Sequence, residues 1–124
     1  MRNTFLLTIL SVMLALTSQA ALAEKKLSKA EAEALFTDKT FDGVNEKKNR
    51  EFRVYSSPDG EHIVVRKGKT KEKEWRINDD GQHCVTGRKE KCADVIDMGN
   101  GVYHKIRKGK HTHTLSNFQD GNQL

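Results

Sequence analysis

The spacing of apolar residues divides the chain into three parts, and the first is unlike the rest. Residues 1–23 combine a basic start, a short apolar run from Phe5 to Leu16 and small residues at the end, which is typical of a secretory signal peptide. The run is too short for a stable membrane anchor. We therefore expect cleavage near Ala23, leaving residues 24–124 as a single β-rich domain that is periplasmic or secreted.

The second part, Leu27–Phe36, has the pattern of an amphipathic helix. Ala and Glu are frequent in it, and Ser28 followed by Glu31 has the spacing of a capping box. Leu27 and Leu35 fall near one helical face. We expect that face to pack against a sheet.

From Phe41 onward the apolar period changes to two. Short runs rich in β-branched and aromatic residues alternate with turn residues about every ten positions. The predicted strands are Thr40–Asn45, Glu51–Ser56, Glu61–Lys67, Glu72–Asn78, Gln82–Thr86, Lys91–Met98, Val102–Arg107 and His111–Phe118. Turns such as Asn100-Gly101 favour tight hairpins. The chain is therefore expected to be mainly β: an antiparallel meander of seven or eight short strands closing into a small barrel or coiled sheet, with one N-terminal helix.

The chain has two cysteines, Cys84 and Cys92. In an oxidising compartment such a pair is expected to form a disulfide. A three-residue loop at Gly87–Lys89 would place the two cysteines directly opposite each other in a hairpin, where a bridge can form. The cysteine spacing thus supports the hairpin prediction.

The basic residues occur in short runs along the β-rich part. Removing Arg2 with residues 1–23 leaves 21 Lys and Arg against 17 Asp and Glu, a formal charge of +4. We expect the runs, such as Lys67–Lys73 and Lys105–Lys110, to be a solvated surface that protects sheet edges. Few aromatic residues accompany them, so nucleic acid is not an expected partner.

Histidines near the C-terminal end suggest a site. Two-residue turns at Asn100-Gly101 and Lys108-Gly109 would align Asp97, His104 and His113 in one row across three strands, with His111 beside them. Such a set suits Zn²⁺ or Cu²⁺, and a His–Asp pair can also transfer protons. The alternative is that this row lies on the solvent-exposed face of the sheet.

No enzyme motif accompanies these residues. The sequence lacks the nucleophile, zinc-protease and phosphate-loop patterns, so we do not expect an enzyme. Trp75 is expected either to anchor the core or to form a wall on which a ligand stacks.

Several fragments resemble a known family. The helix Leu27–Phe36, the segment Val54–Gly60, and Trp75–Val85 with its acidic Gly turn and first cysteine, followed by Cys92, resemble the small exported bacterial proteins of domain of unknown function 995. The resemblance covers roughly residues 27–106. It implies an exported β-rich fold with a cysteine pair and implies no activity.

The sequence therefore favours a small exported binding protein without catalytic activity. Its expected partner is a small ligand or a divalent transition metal, held in the interior or at the mouth of the barrel. The alternative is a protein-interaction module, such as an inhibitor of a periplasmic or foreign hydrolase, which would bind an acidic protein partner.

Overall fold

A computed structural model describes residues 24–124 of the chain; the predicted signal peptide, residues 1–23, lies outside the described residues. One helix and nine strands form in the described part. They are β1 Lys25–Lys26, α1 Lys29–Phe36, β2 Lys39–Asn45, β3 Arg50–Ser56, β4 Glu61–Arg66, β5 Lys69–Ile77, β6 His83–Thr86, β7 Glu90–Gly99, β8 Val102–Arg107 and β9 Lys110–Asp120.

Strands β2 to β9 form a closed antiparallel barrel. Each strand from β2 to β9 pairs with the next, and β9 also pairs with β2, which closes the cylinder. The short β1 is an extra strand that pairs with β7 at Asp97 and Ile96. The prediction of a mainly β barrel with one helix is confirmed.

Helix α1 closes one end of this barrel. Ser28 and Glu31 form the predicted capping box, which satisfies backbone N–H groups at the helix start. Phe36 is fully buried, and its ring contacts those of Phe41 and Phe118 in the barrel. The helix buries Ala32 and Phe36 rather than the predicted Leu27/Leu35 face: Leu27 is buried but precedes the helix, and Leu35 is only partly buried. The core consists of Leu27, Ala32, Phe36, Phe41, Val54, Ile77, Val95 and Leu115.

The cysteine hairpin forms as predicted. Cys84 and Cys92 are paired across β6 and β7 and joined by a disulfide. Their neighbours His83 and Ala93 line the barrel interior, so the alternation of a strand places the bridge on the outer face.

Two bulges change the registers predicted for the last three strands. Gly99, at φ 91, inserts an extra residue in β7, so Asp97 pairs with Tyr103 rather than with His104. A second irregularity near Thr112 pairs His113 with Lys105. The predicted pairings of Asp97 with His104 and of His104 with His113 are therefore wrong, because a single extra residue reverses the face of every residue beyond it.

The two ends of the barrel differ in charge. The turns at the end beside α1 are 57–60, 78–82 and 100–101, and their charged residues are Asp59, Asp79 and Asp80. The turns at the opposite end are 46–49, 67–68, 87–89 and 108–109. They contain six Lys or Arg residues and one Glu, and their other residues are Gly or Asn. Among residues 24–124 no helix is both long and apolar enough to cross a membrane.

Candidate functional site: a basic cavity in the barrel

The interior of the barrel contains a cavity of about 1290 Å³. Its walls are inward-facing residues of the strands, and it reaches the four basic turns opposite α1. Phe41, Phe52, Val64, Val85 and Leu115 supply apolar wall surface. A cavity of this size can hold a small organic molecule.

Fourteen Lys and Arg residues line this cavity, against no Asp or Glu among the described residues. They are Lys47, Lys48, Arg50, Arg66, Lys69, Lys71, Lys73, Arg88, Lys89, Lys91, Lys105, Arg107, Lys108 and Lys110. The six salt bridges within residues 24–124 use other cations. The cavity therefore concentrates positive charge that the described protein residues do not neutralise.

Strand alternation explains how these cations come to face inward. In β5, Lys69, Lys71 and Lys73 line the cavity, whereas the intervening Glu72 and Glu74 do not. A strand directs successive side chains to opposite faces. The alternation of Lys and Glu in β5 thus separates positive charge inside from negative charge outside.

The turns add the cations at the opening, which we call the basic rim. Arg66 and Lys69 flank the 67–68 turn, and Arg107 and Lys110 flank the 108–109 turn. The rest of the basic rim is Lys47, Lys48, Arg50, Arg88, Lys89 and Lys108. Since all four turns at this end contribute, the opening is surrounded by positive charge.

A second polar group lies deeper, and we call it the floor cluster: His62, His83, Lys105 and His113. Lys105 is only 8% exposed, and burial together with nearby Lys73 lowers its pKa from 10.5 to about 7. No side-chain hydrogen bond or salt bridge of Lys105 occurs within the described part of the chain. This amine is therefore held in a poorly solvated site without an anion.

The three histidines of the floor cluster are held in the neutral form. Burial, followed by the charge of Lys105, lowers the pKa of His62 to about 3 and that of His113 to about 4. Burial also places the pKa of His83 well below its usual range. Low solvation disfavours the imidazolium form, and neighbouring cations add to that effect.

Several polar atoms of the floor cluster have no partner. Nδ1 of His62 and both ring nitrogens of His83 are buried without a hydrogen bond, as is Oγ of nearby Ser56. The His83 ring stacks on Phe36 of α1 with centroids 4.0 Å apart, so the helix fixes its position. Since buried polar groups are normally hydrogen-bonded, these atoms are open to a ligand or to an ordered water.

The structure does not bring the predicted metal ligands together. His113 faces the cavity, while His104 lies on the outer face and stacks on His111 with centroids 3.8 Å apart. The carboxylate of Asp97 accepts a hydrogen bond from the backbone N–H of Gly99 at 2.8 Å and so stabilises the bulge. The predicted row of Asp97, His104 and His113 is absent because the registers differ from those expected.

One other cluster has the composition of a metal site. Within the described residues, this is a group of potential metal ligands whose atoms lie within 4.8 Å of one another: Cys84, Glu90 and Cys92. Both sulfurs are engaged in the disulfide, and metals bind thiolates. Binding of Zn²⁺ or Cu²⁺ thus stays a prediction without support from this geometry.

Trp75 occupies the capped half of the barrel rather than the cavity. Its indole N–H donates to the carbonyl oxygen of Ser57 at 3.0 Å, and its ring lies near that of Phe36. These contacts fit the core-anchor alternative. Trp75 is not among the cavity-lining residues, so the structure does not place it as a ligand-stacking wall.

The basic cavity itself was not predicted. The run Lys67–Lys73 is largely solvated as predicted, since Lys67, Lys69 and Lys71 are exposed. It protects no sheet edge, however, because the barrel is closed between β2 and β9 and alternate lysines of the run line its open cavity. The sequence feature that could have predicted the basic cavity is the position of the basic turns, which all fall at alternate connections of the meander. In an up-and-down barrel alternate connections lie at the same end.

Comparison with protein-family models, curated proteins and solved structures finds no match to this chain. The resemblance to domain of unknown function 995 therefore stays a prediction.

Proposed function

We propose that this protein is an exported, non-catalytic binding protein that holds a small anionic molecule in its barrel. The observation that carries the proposal is the cavity lined by fourteen cations and no described acidic residue. Cations gathered in a concave site raise the local concentration of anions and their rate of association. A bound anion would also relieve the repulsion among these side chains.

The depth of the polar residues favours a small ligand over a folded protein partner. His62, His83 and Lys105 are each at most 8% exposed, and the surface of a folded protein cannot reach them. An acidic protein could contact only the basic rim. The hydrolase-inhibitor alternative therefore leaves the unpartnered atoms of the interior without a role.

The chemistry of the cavity supports binding rather than catalysis. Within the described residues, no carboxylate lines the cavity to orient one of its histidines. The buried, unpaired nitrogens of His62 and His83 have no carboxylate partner. These features favour retention of an anion over its chemical conversion.

Calorimetric titration with inorganic pyrophosphate tests the proposal. At pH 7.5 and low salt we expect binding that weakens at least about tenfold between 20 and 200 mM NaCl, because salt screens charge. Replacing Lys69, Lys71, Lys89 and Lys110 by Gln is expected to weaken binding at least about 30-fold, since each nearby charge contributes on the order of 0.5–1 kcal/mol.

A matched variant removes four cations elsewhere. Lys25, Lys26, Lys29 and Lys39 lie toward the capped end and pair with acidic residues. Their replacement by Gln changes the net charge equally and is expected to change the affinity less than threefold. Absence of pyrophosphate binding, or equal loss in both variants, would contradict the proposal.

A further inference from the structure

His62 and His83, at the inner end of the floor cluster, are separated from the basic rim along the barrel axis, whereas Lys105 lies two residues from Arg107 of the rim on β8. On β5, Lys69 lies at the rim and Lys73 pairs with His62 of the floor cluster. Four residues of strand span about 13 Å. Apolar side chains of Phe52 and Val64 line the wall in the same region. The cavity thus has cationic side chains at both ends, with this apolar surface and the inward-facing Lys71 and Lys73 between them.

Resting on the proposed function, we infer that the floor cluster is a distinct subsite for one tetrahedral oxyanion, the phosphate or sulfate group of an elongated ligand whose second acidic group binds the basic rim. The two acidic groups of such a ligand would lie on the order of 10 Å apart, as the strand spacing requires. The ligand class is therefore an elongated organic molecule with acidic groups near both ends.

Buried polar groups without hydrogen-bond partners in the floor cluster are the first observation that supports the subsite. His62 is 6% exposed and His83 is 1% exposed, and both have ring nitrogens without partners. Lys105 adds an ammonium group that has no acceptor among the described residues. An oxyanion accepts a hydrogen bond from the N–H of a neutral ring and from the ammonium group, whereas an apolar ligand would leave these donors unpaired.

The arrangement around the barrel favours a tetrahedral group over a planar carboxylate. His62 lies on β4, His83 on β6, Lys105 on β8 and His113 on β9, so donors come from several sides of the cylinder. A tetrahedral oxyanion presents oxygens in all of these directions.

Every charged group that faces the floor cluster affects its protonation. Lys105 and Lys73 disfavour protonation of His62 and His113, His111 adds to the effect at His113, and Glu46 opposes it there. A bound oxyanion would favour the protonated forms of Lys105 and the histidines. Binding at the floor should therefore take up protons and weaken as the pH rises.

Sulfate titration followed by NMR tests the subsite, because sulfate keeps its charge between pH 6 and pH 9. We expect saturable shifts of the ring signals of His62, His83 and His113, and an affinity at least tenfold lower at pH 9 than at pH 6. In Lys105→Met the pH dependence should fall below threefold. His113→Gln should weaken binding, whereas His104→Gln on the outer face should not.

The outcomes separate this inference from the proposed function. Binding of pyrophosphate and sulfate with shifts confined to the basic rim, and no effect of Lys105→Met, would overturn the subsite and leave the anion-binding proposal intact. Binding of neither anion would overturn both. Acetate should bind at least tenfold more weakly than methyl sulfate, which carries the same single charge, and equal affinity would overturn the tetrahedral assignment. Methyl phosphate and methyl sulfate, compared at pH 6, show which oxyanion is preferred.

Discussion

Acidification from pH 7.5 to pH 5 is expected to destabilise the barrel by about 4 kcal/mol through His62 and His113 alone. Burial, with Lys105 nearby, lowers the pKa of these rings from 6.5 to about 3 and about 4. Below pH 6.5 the unfolded chain therefore binds protons that the folded chain does not. This stabilisation is complete above pH 6.5 and is lost as the pH falls toward the folded pKa values.

The magnitude follows from the distance between the pH and the unfolded pKa. At pH 5 each ring lies about 1.5 units below that pKa, which corresponds to about 2 kcal/mol for each ring. His83 acts in the same direction, since burial also lowers its pKa. A loss of this size is a large part of the stability of an ordinary small domain.

Urea unfolding monitored by the fluorescence of Trp75, the single tryptophan of the chain, measures the effect. The free energy of unfolding should fall by at least about 4 kcal/mol between pH 7.5 and pH 5. In the double variant His62→Leu, His113→Leu the dependence should be much weaker. Equal stability of the wild type at the two pH values would refute the argument that these rings are buried in the neutral form.

Three further predictions concern the stability of the barrel. The pKa of Lys105 is lowered to about 7 by burial, so the unfolded chain holds this proton above pH 7 and stability should rise by about 2 kcal/mol from pH 7 to pH 9; Lys105→Met should abolish that rise in urea unfolding. Replacing Cys84 and Cys92, eight positions apart, by Ser should cost about 2.5 kcal/mol through loop entropy, measured by the same unfolding, and no change would show that the bridge does not constrain the unfolded chain. Lys67 and Lys108 have φ values of 52 and 53, which Asn adopts more easily, so Lys67→Asn and Lys108→Asn should each stabilise by about 1 kcal/mol in thermal unfolding. Of these two, Lys108 lines the main cavity, so its substitution should also weaken pyrophosphate binding.

Much of the fold could be predicted because the local sequence determines it. Ser28 and Glu31 have the spacing that caps a helix, and the capping box forms. Glycine turns mark the hairpins, and the Cys84–Cys92 spacing fixes one register that the structure confirms. These features depend on neighbouring residues, so a single sequence contains them.

The site could not be predicted because it depends on closure and on bulges. Whether Lys71 or Glu72 faces inward is decided by the barrel, and composition alone favours solvent for both. The extra residue at Gly99 reverses the predicted facing of His104. The position of a bulge depends on the tertiary structure and cannot be inferred from neighbouring residues. The predicted alignment of the histidines was therefore wrong, although the strands that carry them were predicted.

The proposed function requires that an anion enters the barrel at the end opposite α1 and binds inside it. Mapping pyrophosphate binding by backbone amide chemical shifts tests it most directly. Saturable shifts are expected at turns 46–49, 67–68, 87–89 and 108–109 and at inward positions of β5, with little change at turns 57–60 and 100–101. Shifts spread over the outer surface, or centred on the capped end, would contradict it.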